Sequence, residues 1–222
     1  MTEEITIKHT DFITHNVLHF ITEKPEGYNF KPGQATEVSI GREEWKDEKR
    51  PFTFTSLPQE DHLEFTIKVY PSLEGVTKEL PGLVKGDTLF VHDVFGAINY
   101  KGPGVFIAGG AGVTPFIAIL KDLADKGELQ GNKLLFANKT SRDIILQEQF
   151  EEWLGDDFIN ILSNEKTEEY AYGHIDKDFL QEHVEDFSQN FYLCGPPEFM
   201  EDVEKDLKEL GMPAGKLVKE DF

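Results

Sequence analysis

The sequence predicts two domains, an N-terminal antiparallel β-barrel over residues 1–100 and an α/β domain with a parallel sheet over residues 101–222. Three observations support this division. The length of 222 residues leaves room for two domains of about 100 residues each. Before residue 101 apolar residues mostly alternate with polar ones, and after it short apolar runs alternate with segments of helical periodicity.

The first half is predicted to be mainly β because its apolar residues recur at every second position. The stretch LEFTIKVY, residues 63–70, directs apolar side chains to one face and polar ones to the other, as in a half-buried strand. Turn signals such as VKGD separate the runs, and several short strands at this spacing favour an antiparallel barrel. Similar runs are ITIKHTDF, NVLHFIT, ATEVSI, FTFTSL and DTLFVHDVF.

The second half is predicted to be α/β because each apolar run is followed by a helical pattern. Strands that alternate with crossover helices form a parallel sheet, and ligands bind at the carboxyl ends of such strands. The four pairs are GVFIAGG with TPFIAILKDLADKG, KLLFANK with IILQEQFEEWLG, FINILSNE with DKDFLQEHVEDF, and FYLCG with PPEFMEDVEKDLKELG.

Composition and charge exclude several classes of function. The net charge of −20 disfavours binding to nucleic acid or to an anionic membrane surface. No secretory signal and no apolar run of about 18 residues is visible, so we expect a cytoplasmic protein without a membrane span. The single cysteine, Cys194, excludes an internal disulfide and a cysteine-ligated cluster within this sequence. His15 and His19 do not converge if they lie on one strand, so no metal site is expected.

The stretch GGAGVTPF, residues 109–116, is a glycine turn between a strand and a helix. Gly110 and Gly112 lack side chains, so a ligand could approach the backbone; Thr114 is the expected N-cap and Pro115 the first helical residue. The free N–H groups of such a helix start suit a pyrophosphate. Packing alone could also require these glycines, and the stretch is not the dinucleotide fingerprint G-x-G-x-x-G.

The stretch FYLCGPPEFM, residues 191–200, brings Cys194 to the carboxyl end of a predicted strand. Gly195 and Pro196 then break the chain before the next helix. This position puts a polarisable thiol at the sheet edge where ligands bind, although a buried and inert cysteine is the competing interpretation.

Two shorter stretches also suggest phosphate binding. In EGVTKEL, residues 74–80, Thr77 is the expected N-cap of a short helix, which could bind an anion or be an ordinary cap. In RPFTFTS, residues 50–56, Arg50 is a permanent forked cation suited to a diphosphate. The alternation after it places rings on one face of the strand and hydroxyls on the other.

In this order, RPFT, IKVY, GVT, GGAGVTPF and CGPP resemble the ferredoxin–NADP reductase superfamily, especially its cytochrome b5 reductase and nitrate reductase branch. The turn FKPGQ and the stretch LLFANKTSRDIIL add to the resemblance, which covers essentially the whole chain. It implies a flavin-binding barrel followed by a nicotinamide-binding domain. The implied cofactors are FAD, rather than FMN, and NADH or NADPH as electron donor.

The resemblance also implies roles for individual residues. Arg50 would pair with the flavin phosphate, the ring of Phe52 would lie along the isoalloxazine, and Thr114 would lie between flavin and nicotinamide. Catalytic positions would be Thr53 at the flavin edge, Cys194 near the hydride-bearing carbon, and Glu220. The implied cofactor-binding residues are Arg50, Pro51, Phe52, Thr53, Ile67, Val69, Gly75, Val76, Thr77, Gly110, Gly112, Thr114, Pro115, Gly195, Pro196 and Phe222.

The resulting expectation is an FAD-dependent oxidoreductase that moves a hydride between NAD(P)H and flavin. Because the sequence lacks the iron–sulfur domain of many relatives, electrons would pass to a separate carrier such as ferredoxin, flavodoxin or a cytochrome. Phe52 stands where the family commonly has tyrosine, which weakens the expected hold on the flavin. Two alternatives stay open, a flavin reductase that releases reduced flavin and a flavin-binding subunit without turnover.

The nicotinamide preference is open at this stage. Lys139, Ser141 and Arg142 could serve the 2′-phosphate of NADPH, or could simply cap the next helix. The same segment resembles NADH-using relatives, which favours NADH.

Overall fold

A computed structural model describes residues 2–70 and 75–220. The chain forms two compact units. One consists of Met1–Asn99 and Thr114–Asp122, and the other of Tyr100–Val113 and Leu123–Phe222. Residues Thr114–Asp122, the first turns of the helix that follows the glycine turn, therefore belong to the first unit. The periodicity of the sequence did not predict this assignment.

The first unit is an antiparallel barrel, as predicted. Its six-stranded sheet has the order β4-β3-β6-β1-β2-β5. A bridge between Phe54 and Phe65 and a hydrogen bond from the Thr55 N–H to the Glu64 carbonyl oxygen (2.8 Å) join the segment after β4 to β5 and close the barrel. The elements are β1 (Glu3–Thr14), β2 (Val17–Glu23), β3 (Ala35–Ile40), β4 (Arg50–Thr53), β5 (His62–Lys68), α1 (Val76–Glu79) and β6 (Thr88–Phe95).

The barrel core follows the predicted alternation along residues 63–69. Leu63, Phe65, Ile67 and Val69 are all buried, and the core continues through Phe54. The fourth strand differs from its predicted bounds, since it ends at Thr53. Beyond that point Phe54 enters the core, where its ring stacks on Phe30 with 4.2 Å between centroids.

The second unit has a parallel sheet with the order β10-β9-β8-β7-β11-β12, which confirms the α/β prediction. Two strands were missed because two and three residues are too short to show a period: β10 (Ala171–Tyr172) and β12 (Leu217–Lys219). The other strands are β7 (Gly104–Gly109), β8 (Lys133–Asn138), β9 (Phe158–Leu162) and β11 (Asn190–Cys194). The helices are α2 (Thr114–Lys126), α3 (Gln147–Leu154), α4 (Lys177–His183) and α5 (Pro197–Glu209).

Both predicted threonine N-caps are wrong. Helix α2 starts at Thr114 itself, because a 3₁₀ turn over Gly110–Val113 leads directly into it and its N-cap residue, Val113, already has helical φ and ψ of −71° and −19°. In α1 the N-cap position belongs to Gly75, whose φ of 122° favours glycine, and Thr77 lies inside the helix.

Within residues 2–70 and 75–220, no helix combines the length and the apolar character needed to cross a membrane. The same residues contain no cluster of three or more His, Cys, Asp or Glu side chains arranged to hold a metal ion.

Candidate functional site

The first unit brings Arg50 to the start of α1. Atom Nη1 of Arg50 donates to the Lys49 carbonyl oxygen at 2.6 Å, and Nη2 lies 3.6 Å from Oε2 of Glu48. A Cβ added to Gly75 would lie only 3.2 Å from Nη2, so the guanidinium group occupies the space that the glycine leaves. A half-exposed cation is thus held beside the GVT segment, although the two motifs are 25 residues apart in the sequence.

The strand that carries Arg50 presents a mixed surface. β4 pairs with β3 through Thr53 and Ala35 at one end and Arg50 and Val38 at the other, and Pro51 is exposed between them. The ring of Phe52 is partly buried against the barrel core. The predicted second ring of this surface does not exist, because Phe54 is fully buried and faces the core.

The neighbouring implied flavin-binding residues can offer only backbone atoms. The side chains of Ile67, Val69 and Val76 are buried in the barrel core. The Val69 N–H already donates to the Asn16 carbonyl oxygen at 2.8 Å, so this donor is used within the protein. Any contact from these residues to a ligand would therefore come from other main-chain groups.

In the second unit the glycine turn lies directly against the end of β11. A Cβ on Gly112 would lie 2.2 Å from the carbonyl oxygen of Cys194 and 2.6 Å from the nitrogen of Gly195, closer than any real Cβ contact. Strands β7 and β11 are paired, with Ala108 opposite Cys194, and this pairing sets the approach. Gly112 is therefore required by the packing of one backbone on another.

A second contact supports the same arrangement. A Cβ on Gly195 would lie 2.6 Å from the ring of Phe199, and one on Gly109 would lie 3.0 Å from Pro196 and from Phe199. Gly110 has a φ of 52°, which favours glycine for its backbone conformation alone. Packing therefore requires Gly109, Gly112 and Gly195, and the same contacts explain how the two motifs meet at one edge of the sheet.

Cys194 is buried and carries a protonated thiol. Burial raises the pKa of Cys194 to about 12, and the negative charge of Glu220 adds to the rise, while the Gly195 N–H opposes it. Glu220 follows β12, which pairs with β11 through Lys219 and Leu193. Strand β12, missed in the sequence, is what brings Glu220 near the thiol; Phe222 lies outside the described residues.

A carboxylate lies at the carboxyl ends of β8 and β9. Atom Oε2 of Glu165 accepts from the Ser141 N–H at 2.7 Å and from the Ser141 hydroxyl at 2.9 Å. The 3₁₀ turn Ser141–Asp143 is capped by Thr140 and Asp143, which form a reciprocal capping box. Sequence reasoning missed Glu165, although its position just after the FINIL strand could have pointed to it.

Two family models match the chain in the order of its two units. An FAD-binding domain matches residues 2–103, and an oxidoreductase NAD-binding domain matches residues 106–205. The chain belongs to the ferredoxin–NADP reductase superfamily. The matches to an FAD-binding domain and a NAD-binding domain confirm FAD and a nicotinamide dinucleotide as the expected cofactors.

Individual members of the ferredoxin–NADP reductase superfamily are similar over most of the chain. NADH-cytochrome b5 reductase 2 of Mycosarcoma maydis is 28% identical over 219 residues, covering 87% of this chain and 61% of the relative. The reductase component of propane 2-monooxygenase from Rhodococcus jostii strain RHA1 is 28% identical over 216 residues, covering 90% of this chain and 57% of the relative. The chain thus spans about three fifths of the length of these relatives.

The fold agrees with a solved structure of the same superfamily. A ferredoxin NADP⁺ reductase from Neisseria gonorrhoeae, solved with bound FAD and NADP, aligns with a TM-score of 0.86 at 18% identity. The alignment covers 99% of this chain and 98% of that one, so both share the whole two-part architecture.

Proposed function

We propose that the protein is an FAD-dependent NADH oxidoreductase that passes electrons on to a separate one-electron acceptor. The observation that carries this proposal is the succession of an FAD-binding domain and a NAD-binding domain, with their signature residues brought together within each unit. Bound FAD would supply the redox chemistry, since flavin accepts two electrons as a hydride and can return them singly. The protein's own contribution is binding and orientation.

Arg50 and the segment at Gly75 fit an FAD diphosphate. The guanidinium group is forked, permanently charged and half exposed, and it lies against Gly75, where a Cβ would be only 3.2 Å from Nη2. Phe52 would support one face of the isoalloxazine, and Thr53 would donate to its polar edge. Glu48, 3.6 Å from Arg50, is the partner that an incoming phosphate would replace.

The glycine turn and the end of β11 fit the nicotinamide dinucleotide. Residues Gly110–Val113 lead from β7 into α2, whose first N–H groups suit a pyrophosphate. Cys194, protonated and buried, would pack against the nicotinamide as a neutral polarisable group and not as a nucleophile. Replacing Cys194 with alanine is expected to slow hydride transfer while flavin content stays intact.

Glu165 favours NADH over NADPH. Its carboxylate already uses the Ser141 N–H and hydroxyl, which are donors that a 2′-phosphate would need. A carboxylate accepts hydrogen bonds from ribose hydroxyls, whereas it repels a phosphate dianion. Lys139 and Arg142 lie in the same segment, so the discrimination would rest on Glu165 and not on a lack of cations.

The acceptor would be a one-electron carrier. The two relatives are named for cytochrome b5 and for a monooxygenase, and both names describe reductases that serve a partner. With a net charge of −20, a less acidic carrier would meet less long-range repulsion than a strongly acidic one.

The visible absorption spectrum of the purified protein tests the proposal. We expect flavin bands, present as purified or after reconstitution with FAD, that bleach under anaerobic NADH and return when ferricyanide is added. A protein that binds no FAD even after reconstitution would rule out the proposed function.

A flavin reductase is the second candidate, and Phe52 favours it. Without a phenol hydroxyl the ring offers stacking but no hydrogen bond to the flavin, which permits exchange. Steady-state NADH oxidation by FAD-stripped protein separates the two functions. Turnover that rises with added free FAD far beyond one equivalent identifies flavin as a substrate, whereas turnover that saturates at one equivalent identifies it as a cofactor.

A further inference from the structure

A partly buried charge pair, Glu64 and His19, lies on the seam that closes the barrel. At this seam the segment after β4 meets β5: Phe54 bridges Phe65, and the Thr55 N–H donates to the Glu64 carbonyl oxygen. The Thr55 hydroxyl donates to Oε1 of Glu64 at 2.8 Å, and the Glu64 N–H donates to the Ser56 hydroxyl oxygen at 3.0 Å. Glu64 therefore makes most of the polar contacts that hold the two segments together.

The Glu64 carboxylate is only 17% exposed, and a histidine compensates its charge. Nε2 of His19, on β2, lies 3.5 Å from Oε2 of Glu64, and Nδ1 of His19 lies 3.3 Å from Oδ1 of Asp11 on β1. The hydrogen bond with Glu64 raises the pKa of His19 above its usual 6.5, although burial opposes the rise. A partly buried carboxylate that loses a close cationic partner is destabilised.

The remaining charged neighbours come from three elements. On β1, Nε2 of His9 lies 3.2 Å from Asp11 and shares that carboxylate with His19. On β5, Lys68 lies two residues from Thr66, the residue paired with His19, and so on the same face of the strand. From α2, the positive charge of Lys121 also lowers the pKa of Glu64, but its Nζ is bonded to Glu60 at 2.7 Å.

We propose that Glu64 and protonated His19 are positioning residues for the flavin site, so that proton binding at His19 and FAD binding strengthen each other. This inference rests on the proposed function, in which β4 supplies Arg50, Phe52 and Thr53 to FAD and β5 ends beside it. FAD must find the two segments at a fixed spacing, and the Glu64 seam sets that spacing. When His19 loses its proton, the partly buried carboxylate of Glu64 loses the charge compensation of His19, and the seam loosens.

If proton binding at His19 and FAD binding strengthen each other, the affinity for FAD must depend on pH, and this dependence can be measured. The affinity for FAD is expected to fall about tenfold as pH rises from about 5.5 to about 8.5, which corresponds to a His19 pKa about one unit higher in the FAD-bound protein. FAD is the suitable probe because its diphosphate has no group that titrates in this range. Fluorescence titration with FAD at each pH gives the dissociation constants.

Two variants and a matched control distinguish the effect of the Glu64–His19 pair on FAD affinity from general effects of pH. H19Q and E64Q remove the titrating pair while keeping hydrogen-bonding groups, and both are expected to bind FAD with a dissociation constant independent of pH over this range. H62Q is the control: His62 is also half-buried on β5, and its printed partners differ from those of His19, since its ring nitrogens lie 3.1 Å from Asp61 and 3.9 Å from Glu60. Its pH profile is expected to match that of the unmodified protein.

A measurement on the unmodified protein tests the same coupling even if the variants fail to fold. Histidine NMR titration with and without FAD is expected to show that the His19 pKa rises on binding. Parallel FAD affinity profiles for the unmodified protein and H19Q, or an unshifted His19 pKa, would overturn the coupling alone. If the protein bound no FAD at any pH, the proposed function would be wrong, and this inference would be wrong with it.

Discussion

Gly112 and Cys194 are in direct backbone contact, with room for a hydrogen but not for a methyl group between them. The contact joins the glycine turn to the end of β11, so it connects the two motifs that the resemblance assigned to nicotinamide binding. G112A is expected to cost about 3 kcal/mol of unfolding free energy, because neither backbone can move away without breaking the parallel sheet. It should also raise the KM for NADH.

Urea denaturation of G112A checks this expectation, and G82A is the control. A Cβ on Gly82 would meet nothing within 4 Å, so that variant should unfold like the original protein. Equal unfolding free energies of G112A and G82A would contradict the predicted clash between a side chain at position 112 and the backbone of Cys194.

The Cys194 thiol should be nearly unreactive in the folded protein. With its pKa raised to about 12 from a reference of 9.0, the thiolate population falls by about three orders of magnitude. Alkylation by iodoacetamide at constant pH, followed by mass spectrometry, should be at least that much slower in folded than in urea-unfolded protein. Rapid labelling of folded protein would show an accessible, ionised thiol.

Stability should depend on pH through the pair His19 and Glu64. The pKa of His19 is raised above 6.5, so its contribution is complete below 6.5 and is lost as pH rises through the folded-state value. Burial alone would raise the pKa of Glu64, but hydrogen bonds from His19 and Thr55 bring it below 4.5; that contribution is complete above 4.5 and is lost as pH falls. Both contributions are therefore present together between pH 4.5 and 6.5.

Urea unfolding of the original protein and E64Q as a function of pH tests this window. The difference in unfolding free energy between the two should be largest between those pH values and should shrink on either side. A difference that stays constant across the range would contradict the ion pair.

Glu165 should set the nicotinamide preference. E165A frees the Ser141 N–H and hydroxyl and removes a repelling charge, so the ratio of kcat/KM for NADPH to that for NADH should rise about tenfold, equivalent to about 1.4 kcal/mol. Initial rates with both cofactors give the ratio. E168A, an exposed glutamate three residues further along, is the control and should leave the ratio unchanged.

Phe52 should set the strength of flavin binding. F52Y adds a phenol hydroxyl at the partly buried ring beside Arg50, and one new hydrogen bond is expected to tighten FAD binding by about 1 kcal/mol, roughly fivefold. Fluorescence titration with FAD measures the change. F12Y alters an exposed ring on β1 and should leave the affinity as it was; an equal gain in both variants would count against a specific contact.

Most of the fold could be predicted because its signals are local. Alternation in residues 63–69 and the helical spacing of residues 114–126 each report which side of a single element is apolar. The two helix starts at Thr77 and Thr114 were misplaced, since a 3₁₀ turn and a glycine with positive φ can take over the role of a capping side chain. Strands β10 and β12 were missed because two or three residues are too few to show a periodic pattern.

The candidate site was predicted less completely than the fold. Motif order pointed to Arg50, Gly75, Gly112 and Cys194, yet it could not separate glycines that admit a ligand from those that admit another backbone. The alternation placed the rings of Phe52 and Phe54 on one face, yet Phe54 is fully buried in the core, because alternation cannot distinguish the inside of a closed barrel from its outside at a strand end. Glu165 matched no motif, and its hydrogen bonds to Ser141 identify it as a candidate in the structure.

By itself the sequence determined the two-part architecture, the family and the cofactor classes, because periodicity and ordered motifs are properties of neighbouring residues. Only the tertiary structure decided that Gly112 packs on Cys194, that Glu165 occupies the donors of Ser141, and that Glu64 closes the barrel with His19 as its counter-charge. These pairs are between 24 and 82 residues apart in the chain. Their meeting depends on strand order and barrel closure, which no local pattern encodes.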